Sequence, residues 1–347
     1  MTPRRSSAPF RLAGVATIVV GLIAASGCAA EPAPTSSPSA EAFTPPVLTD
    51  IAPLRGTTVP AGSLDHASIA AKIDNHVDAR PQVGLERSDL VFEELVEGGL
   101  TRYVAVWQSD IPELLGPVRS IRPMDPDIIS PFGGIVAYSG GQERFVDLMK
   151  QTPVYNAIHG QPDTESTFYR TPDKRAPHNV IVKAQELLAQ HADLAAPSQQ
   201  FSFALDVPTS TAATEGTSTA AVVYRFSNQT AGSWNWNAQS GVFVRFQDGA
   251  PDLDSNGAQL QATNVIVIRV PVTNALGVPK TEMVGFGEAW VSTGGGTVHA
   301  TWSKGSAAAI IRLIDDNGVA VRLGAGNTWI ELVPAEGSVE FVPPAAS

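Results

Sequence analysis

A single cysteine constrains this chain more than any other feature. Cys28 closes a run from Leu12 to Ala25 that is apolar or small throughout, preceded by Arg4, Arg5 and Arg11. A basic start and a short apolar stretch form the layout of a secretory signal. At 14 residues the run falls short of the about 20 that span a bilayer. It ends in Ala25-Ser26-Gly27-Cys28, which resembles the bacterial lipobox, with Ala25 where a branched apolar residue is usual. Residues 1–28 are therefore expected to be a lipoprotein signal peptide, and Cys28 the site of a palmitate or diacylglycerol anchor. Two acyl chains supply what stable membrane attachment requires. Acylation leaves no thiol in the mature chain, so disulfides, a cysteine nucleophile and cysteine-bound metals are excluded together.

Residues 29–47 are rich in Pro, Ser and Ala and bury too little apolar surface to order, so a disordered tether is expected. About 300 residues follow, enough for one large or two ordinary domains. Losing the three signal-peptide arginines leaves 20 basic residues against 34 acidic. That balance excludes a nucleic-acid partner, which needs a basic surface. It also leaves membrane attachment to the lipid on Cys28 and places the chain outside the cytoplasm.

The organisation predicted is α+β: a mixed α/β N-terminal domain at 48–200, a linker or boundary at 201–220, and a β-rich C-terminal domain at 221–342. Strand-length apolar stretches lie at Ile69 to Ile73, Asp89 to Leu95, Leu100 to Gln108 and Gly134 to Ser139. Helical spacing marks Gln142 to Lys150 and Val180 to Gln190. Further on, Ala221 to Phe226, Gly241 to Phe246, Asn264 to Val270, Thr297 to Trp302 and Ile310 to Ile314 read as strands punctuated by turn residues. Asn317-Gly318 is a hairpin signal, because both residues tolerate positive φ.

The chain has no Gly-rich lysine loop, no H-E-x-x-H pair, no Gly-x-Ser-x-Gly elbow and no CxxC. No catalytic residue is assigned from sequence, and neither a cofactor nor a metal is expected, since the histidines show no ligand spacing. Polar residues concentrate instead in four stretches: Ile73-Asp74-Asn75-His76 with Ala79-Arg80-Pro81-Gln82; Glu93-Glu94 through Glu97-Gly98-Gly99-Leu100-Thr101-Arg102; Gly116-Pro117-Val118-Arg119-Ser120-Ile121-Arg122-Pro123; and Phe168-Tyr169-Arg170 through Arg175-Ala176-Pro177-His178-Asn179. They resemble the pattern of the YerB-like family of bacterial lipoproteins, whose domains are of unknown function. Asn264 to Val267, Thr301 to Lys304 and Gly326 to Ile330 are similar to its C-terminal domain. The resemblance implies a mixed α/β domain followed by a β-rich one and carries no reaction.

From the residues themselves, a polar cleft is expected among Asp74, Asn75, Arg80, Glu93, Glu94, Arg102, Arg119, Arg122, Arg170, Arg175, His178 and Asn179. One reading makes the arginines an anion site, receiving phosphate or carboxylate by charge-assisted forks. The other has them pair with Asp74, Glu93, Glu94 and Glu97 to hold loops. His178 reads as a structural histidine or an acid/base group. Ser139-Gly140-Gly141-Gln142 offers backbone N–H groups to an anion or is a plain tight turn. Trp234, Trp236, Tyr224 and Phe226 suggest either sugar stacking or cross-strand packing. The function that follows is an exported, lipid-anchored envelope protein binding an anionic small molecule, cell-wall component or partner. The alternatives are an enzyme on an anionic envelope substrate, with Glu94 or His178 as acid/base, and a scaffold whose β domain docks wall proteins.

Overall fold

The computed structural model describes residues 47–345; the signal peptide, Cys28 and almost all of the tether lie outside the described residues. In the first half, β1 is Ile69–Asp74, β2 Leu90–Leu95, β3 Thr101–Trp107, β4 Ile135–Tyr138, β5 Tyr155–Ile158, β6 Phe168–Arg170 and β7 Val180–Lys183. The helices there are short: α1 Asp125–Ile129, α2 Glu143–Lys150 and α3 Ala184–Ala189. In the second half, β8 is Ala221–Arg225, β9 Ala231–Asn237, β10 Val242–Gln247, β11 Asn264–Val270, β12 Gly285–Thr293, β13 Gly296–Lys304, β14 Arg312–Asp315, β15 Thr328–Pro334 and β16 Ser338–Val342.

Eleven strands share one sheet, in the order Thr217–Ser218, β13, β12, β11, β15, β2, β3, β1, β4, β5, with β14 also on β13. The join between the halves is β2 against β15, parallel, from Leu90 opposite Thr328 to Glu93 opposite Glu331. The segment 201–220, expected as a boundary, carries helix α4, Thr211–Glu215, and the strand Thr217–Ser218 that pairs with β13. Hence the two halves divide the labour of one sheet. Their central strands are buried on both faces, which is why they read as continuous β-branched runs.

One face is covered by α1, α2 and an apolar layer including Phe132, Phe145, Met149 and Met283. Against the other packs a second, six-stranded antiparallel sheet built on β10, β9, β8 and β16, which contributes Val222, Tyr224, Trp234 and Phe243. The fold is β-rich, with less helix than the expected α/β half implied. Val180 to Gln190 shows the reason: Val180-Ile-Val-Lys183 is β-branched and pairs with β6 and Leu114–Leu115, so the helix begins only at Ala184. Trp234, Tyr224 and Phe226 are buried and Trp236 packs on Phe243, so these aromatics serve cross-strand packing.

Candidate functional site

The strands β1, β4 and β5 are parallel to one another, and ligand crevices in such sheets form beyond the carboxyl ends of the strands. Here β1 and β4 pair only as far as Ala71 opposite Ala137. Beyond that they part, and Pro117 to Ile121 fills the gap. Asp74 N–H donates to Pro117 O and Arg119 N–H to Lys72 O on one side. On the other, Ser139 N–H donates to Arg119 O and Ile121 N–H to Gly140 O. This inserted strand delivers Arg119 to the strand ends. Arg122 arrives because the chain turns there: its N–H meets the Asp125 carboxylate at 2.6 Å, and Asp125 N–H returns to Arg122 O.

Strand alternation sorts the acidic residues. Register places Asp74, Arg102 and Glu94 opposite one another, on the same face as Lys72. Lys72 is wholly buried, pairs with Glu94, and donates to Asp125 Oδ1 at 2.7 Å. Burial pulls its ammonium down to about 8 against the restoring pull of Asp125. Glu94 is therefore closed off as a partner of Lys72. Glu93 departs from the expected cleft, because as the neighbour of Glu94 in a strand it faces the other side. There, fully buried, it pairs with Arg245 and accepts from Thr101 Oγ1 at 2.6 Å. Asn75 likewise turns to that side, donating to Thr101 Oγ1 at 2.8 Å. Arg80 binds Asn75 Oδ1 and pairs with Asp248 at 2.8 Å, tying the halves together.

Around the strand ends remain Asp74, Arg102, Arg119, Arg122 and His178. Asp74 Oδ2 lies 2.6 Å from His178 Nδ1 and 3.1 Å from Arg119 Nε. Arg122 Nε meets Glu97 Oε2 at 2.8 Å, and its Nη1 reaches Ser120 O and Ile121 O. Arg102 is different. It is 8% exposed, and among the described residues no carboxylate lies within ion-pair distance of it. Its one hydrogen bond there is Nη1 to Ser120 O at 2.9 Å. Burial, then Arg122 and Arg119, pull its pKa down to about 10. Asp74 and Glu97 offset part of this, so the direction records a buried cation whose charge is only partly compensated. Arg170 lies apart, exposed, donating to Asn179 Oδ1 at 2.8 Å, and Arg175 is exposed on the 171–179 loop. Sequence reasoning missed Lys72 and Arg245. Each sits in a strand stretch whose other residues look like plain core.

Residues 54–198 match the family model "Protein of unknown function (DUF3048) N-terminal domain", and residues 222–330 match the corresponding C-terminal domain. The chain belongs to this family. "Putative lipoprotein YerB" of Bacillus subtilis (strain 168) is 25% identical over 304 residues, covering 82% of this chain and 86% of its own length. The crystal structure of YerB from Bacillus subtilis matches with a TM-score of 0.72 at 22% identity, over 84% of this chain and 99% of that one. The YerB-like resemblance read from the four polar stretches is thereby shown, and the fold is shared.

Proposed function

We propose that this is an exported, lipid-anchored envelope protein whose cleft at the β1 and β4 strand ends binds an anionic group, phosphate or carboxylate. The observation that carries this is Arg102. Removing a guanidinium from water costs several kcal/mol unless a counter-charge meets it. Lys72 and Arg245 each have two carboxylate partners, and Lys304, also buried, donates to the carbonyls of Ala307 and Ala309, whereas Arg102 has a single carbonyl acceptor. A buried cation with one carbonyl acceptor, and no carboxylate in ion-pair contact among the described residues, fits a negative charge supplied from outside the chain. Arg119 and Arg122 flank it, each engaged with a carboxylate through Nε and holding Nη2 free of protein partners among the described residues. The N–H groups of Gly140, Gly141 and Gln142, leading into α2, also lack partners there and add donors suited to an oxyanion.

The lipid anchor rests on Cys28 and the apolar run before it, and the relative named as a lipoprotein supports it. Among the described residues no helix is long and apolar enough to cross a membrane.

Calorimetric titration with inorganic pyrophosphate tests the cleft. The wild-type chain is expected to bind, and Arg102→Ala to bind at least about tenfold more weakly, the scale of one charged hydrogen bond. Equal affinity in both chains would remove the basis of the reading. For the anchor, Cys28→Ser is expected to move the protein from the membrane fraction into the soluble fraction; retention on the membrane contradicts it.

A further inference from the structure

Two histidines and an aspartate meet beside this cleft from loops about a hundred residues apart in the chain. His76 and Asp78 follow β1, and His178 precedes β7. The His76 and His178 rings stack with centroids 4.4 Å apart and planes inclined by 18°. One ligating atom from each of His76, Asp78 and His178 lies within 4.8 Å of the other two. His76 Nδ1 stands 3.6 Å from Asp78 Oδ2 and accepts Asp78 N–H at 3.1 Å.

The decisive detail is the tautomer of His178. Its Nδ1 lies 2.6 Å from the carboxylate of Asp74, which is 3% exposed. A carboxylate only accepts, so Nδ1 carries the proton and the Nε2 lone pair is left for another partner. An outer carboxylate fixing a histidine in this way is the recurrent second layer of metal sites, where it orients the ring and raises its basicity. We propose that His76, Asp78 and His178 bind a divalent transition cation of the zinc type, with Asp74 as the positioning residue behind His178.

Imidazole and carboxylate donors suit zinc and its neighbours, and three protein ligands leave a fourth position open. Ligand atoms around tetrahedral zinc stand about 3.3 Å apart, given bonds of about 2.0–2.1 Å. The three donors therefore need to close by roughly 1 Å or more, with Asp78 N–H released from His76 where Nδ1 is the ligating atom. His76 and Asp78 are partly or fully open to solvent, which gives the loop that freedom. Asp74 Oδ2 also meets Arg119 Nε, so one carboxylate separates the metal site from the guanidinium cluster. The open coordination position is then suited to an oxygen of the same anion; this coupling alone rests on the anion-binding reading.

The test uses the full-length chain in detergent, in a Cys28→Ser background so that no thiol competes. After chelator treatment it is titrated with Co2+, followed by visible absorption of the bound ion, and with Zn2+ by competition. One equivalent is expected. His76→Ala and His178→Ala should each weaken binding at least tenfold, and Asp74→Asn about tenfold or more. His299→Ala, which removes a half-buried histidine beside Asp316 and Glu288, should change nothing. If His178→Ala fails to fold, His76→Ala, with its side chain one-third exposed, carries the test. Unchanged affinity in His76→Ala overturns the site, as does an affinity that responds to His299→Ala. In a second arm, Zn2+ is expected to tighten pyrophosphate binding; metal binding without tightening overturns the coupling and leaves the metal site standing.

Discussion

Two arginine clusters lie on opposite faces of the same strands, one residue apart in sequence. On β2, Glu93 points to one and Glu94 to the other; on β3, Tyr103 and Arg102 divide in the same way. On the closed side, Arg245 is wholly buried and pairs with Glu93 and Asp252. It donates to the hydroxyls of Tyr103 and Tyr224, and its guanidinium lies 4.9 Å from the Trp329 ring centre. On the other side, Arg102 has one carbonyl acceptor, and the charges of Arg122 and Arg119 act against it with Asp74 and Glu97 partly offsetting them. The closed cluster joins β10 of the second sheet to β2 and β3 of the first. Arg245 meets two carboxylates there, while its Nε is left without a hydrogen-bond partner among the described residues. The open cluster ties the inserted segment to the strand ends, through Arg102 to Ser120 O and Arg119 to Asp74. We read the cation with two carboxylate partners as architecture, and the one with a single carbonyl acceptor as part of the proposed ligand site.

The largest effect that would separate the two belongs to Arg245. Arg245→Ala leaves Glu93 and Asp252 buried without their cation and is expected to cost about 3–5 kcal/mol in urea unfolding. A loss below about 1 kcal/mol would mean that the closed cluster is not structural, and the contrast would fail.

A smaller effect comes from the carboxyl pair within that cluster. Glu331 stands opposite Glu93, fully buried, and accepts Trp234 Nε1–H at 2.8 Å. Burial, and next to it the charge on Glu93, hold its carboxyl well above the ordinary range. The folded chain thus keeps a proton that the unfolded chain releases once pH exceeds the ordinary glutamate range, and stability falls as pH rises from there. Glu331→Gln keeps the acceptor for Trp234 and removes that dependence. Its melting temperature should equal wild type near pH 4 and exceed it by a few degrees at pH 7. A gap that stays constant with pH would show that no proton is shared there.

Much of this contrast was within reach of the sequence, and the rest was not. The runs at Ile69, Asp89, Leu100 and Gly134 lie on β1 to β4, because short β-branched stretches have few alternatives. Once Asp89 to Leu95 is a strand, alternation alone separates Glu93 from Glu94; placing both in one cleft ignored that period. The pairing of Arg119 and Arg122 with Asp74 and Glu97, one of the two readings of the arginines, is present in the structure. Arg245 was hidden for a different reason. In Val242-Phe-Val-Arg-Phe-Gln247 nearly every neighbour is apolar, so the pattern does not say which face is dry, and its partner Glu93 is 152 residues away. The split between β1 and β4 depends on pairings across the sheet that no local period encodes. The Ile310 to Ile314 strand shifted to Arg312–Asp315, where pairing with β13 sets its limits.

The most direct test of the difference is the unfolding free energy of Arg102→Met, measured in urea with and without pyrophosphate. Methionine roughly matches the arginine stem in size and carries no charge to bury. The expected result is a chain within about 1 kcal/mol of wild type, or more stable than it, since a buried charge with no carboxylate in ion-pair contact is removed. Pyrophosphate should then stabilise the wild type alone. A loss of about 3 kcal/mol or more without ligand, or an undiminished response to pyrophosphate, would contradict the assignment of Arg102 to an external anion.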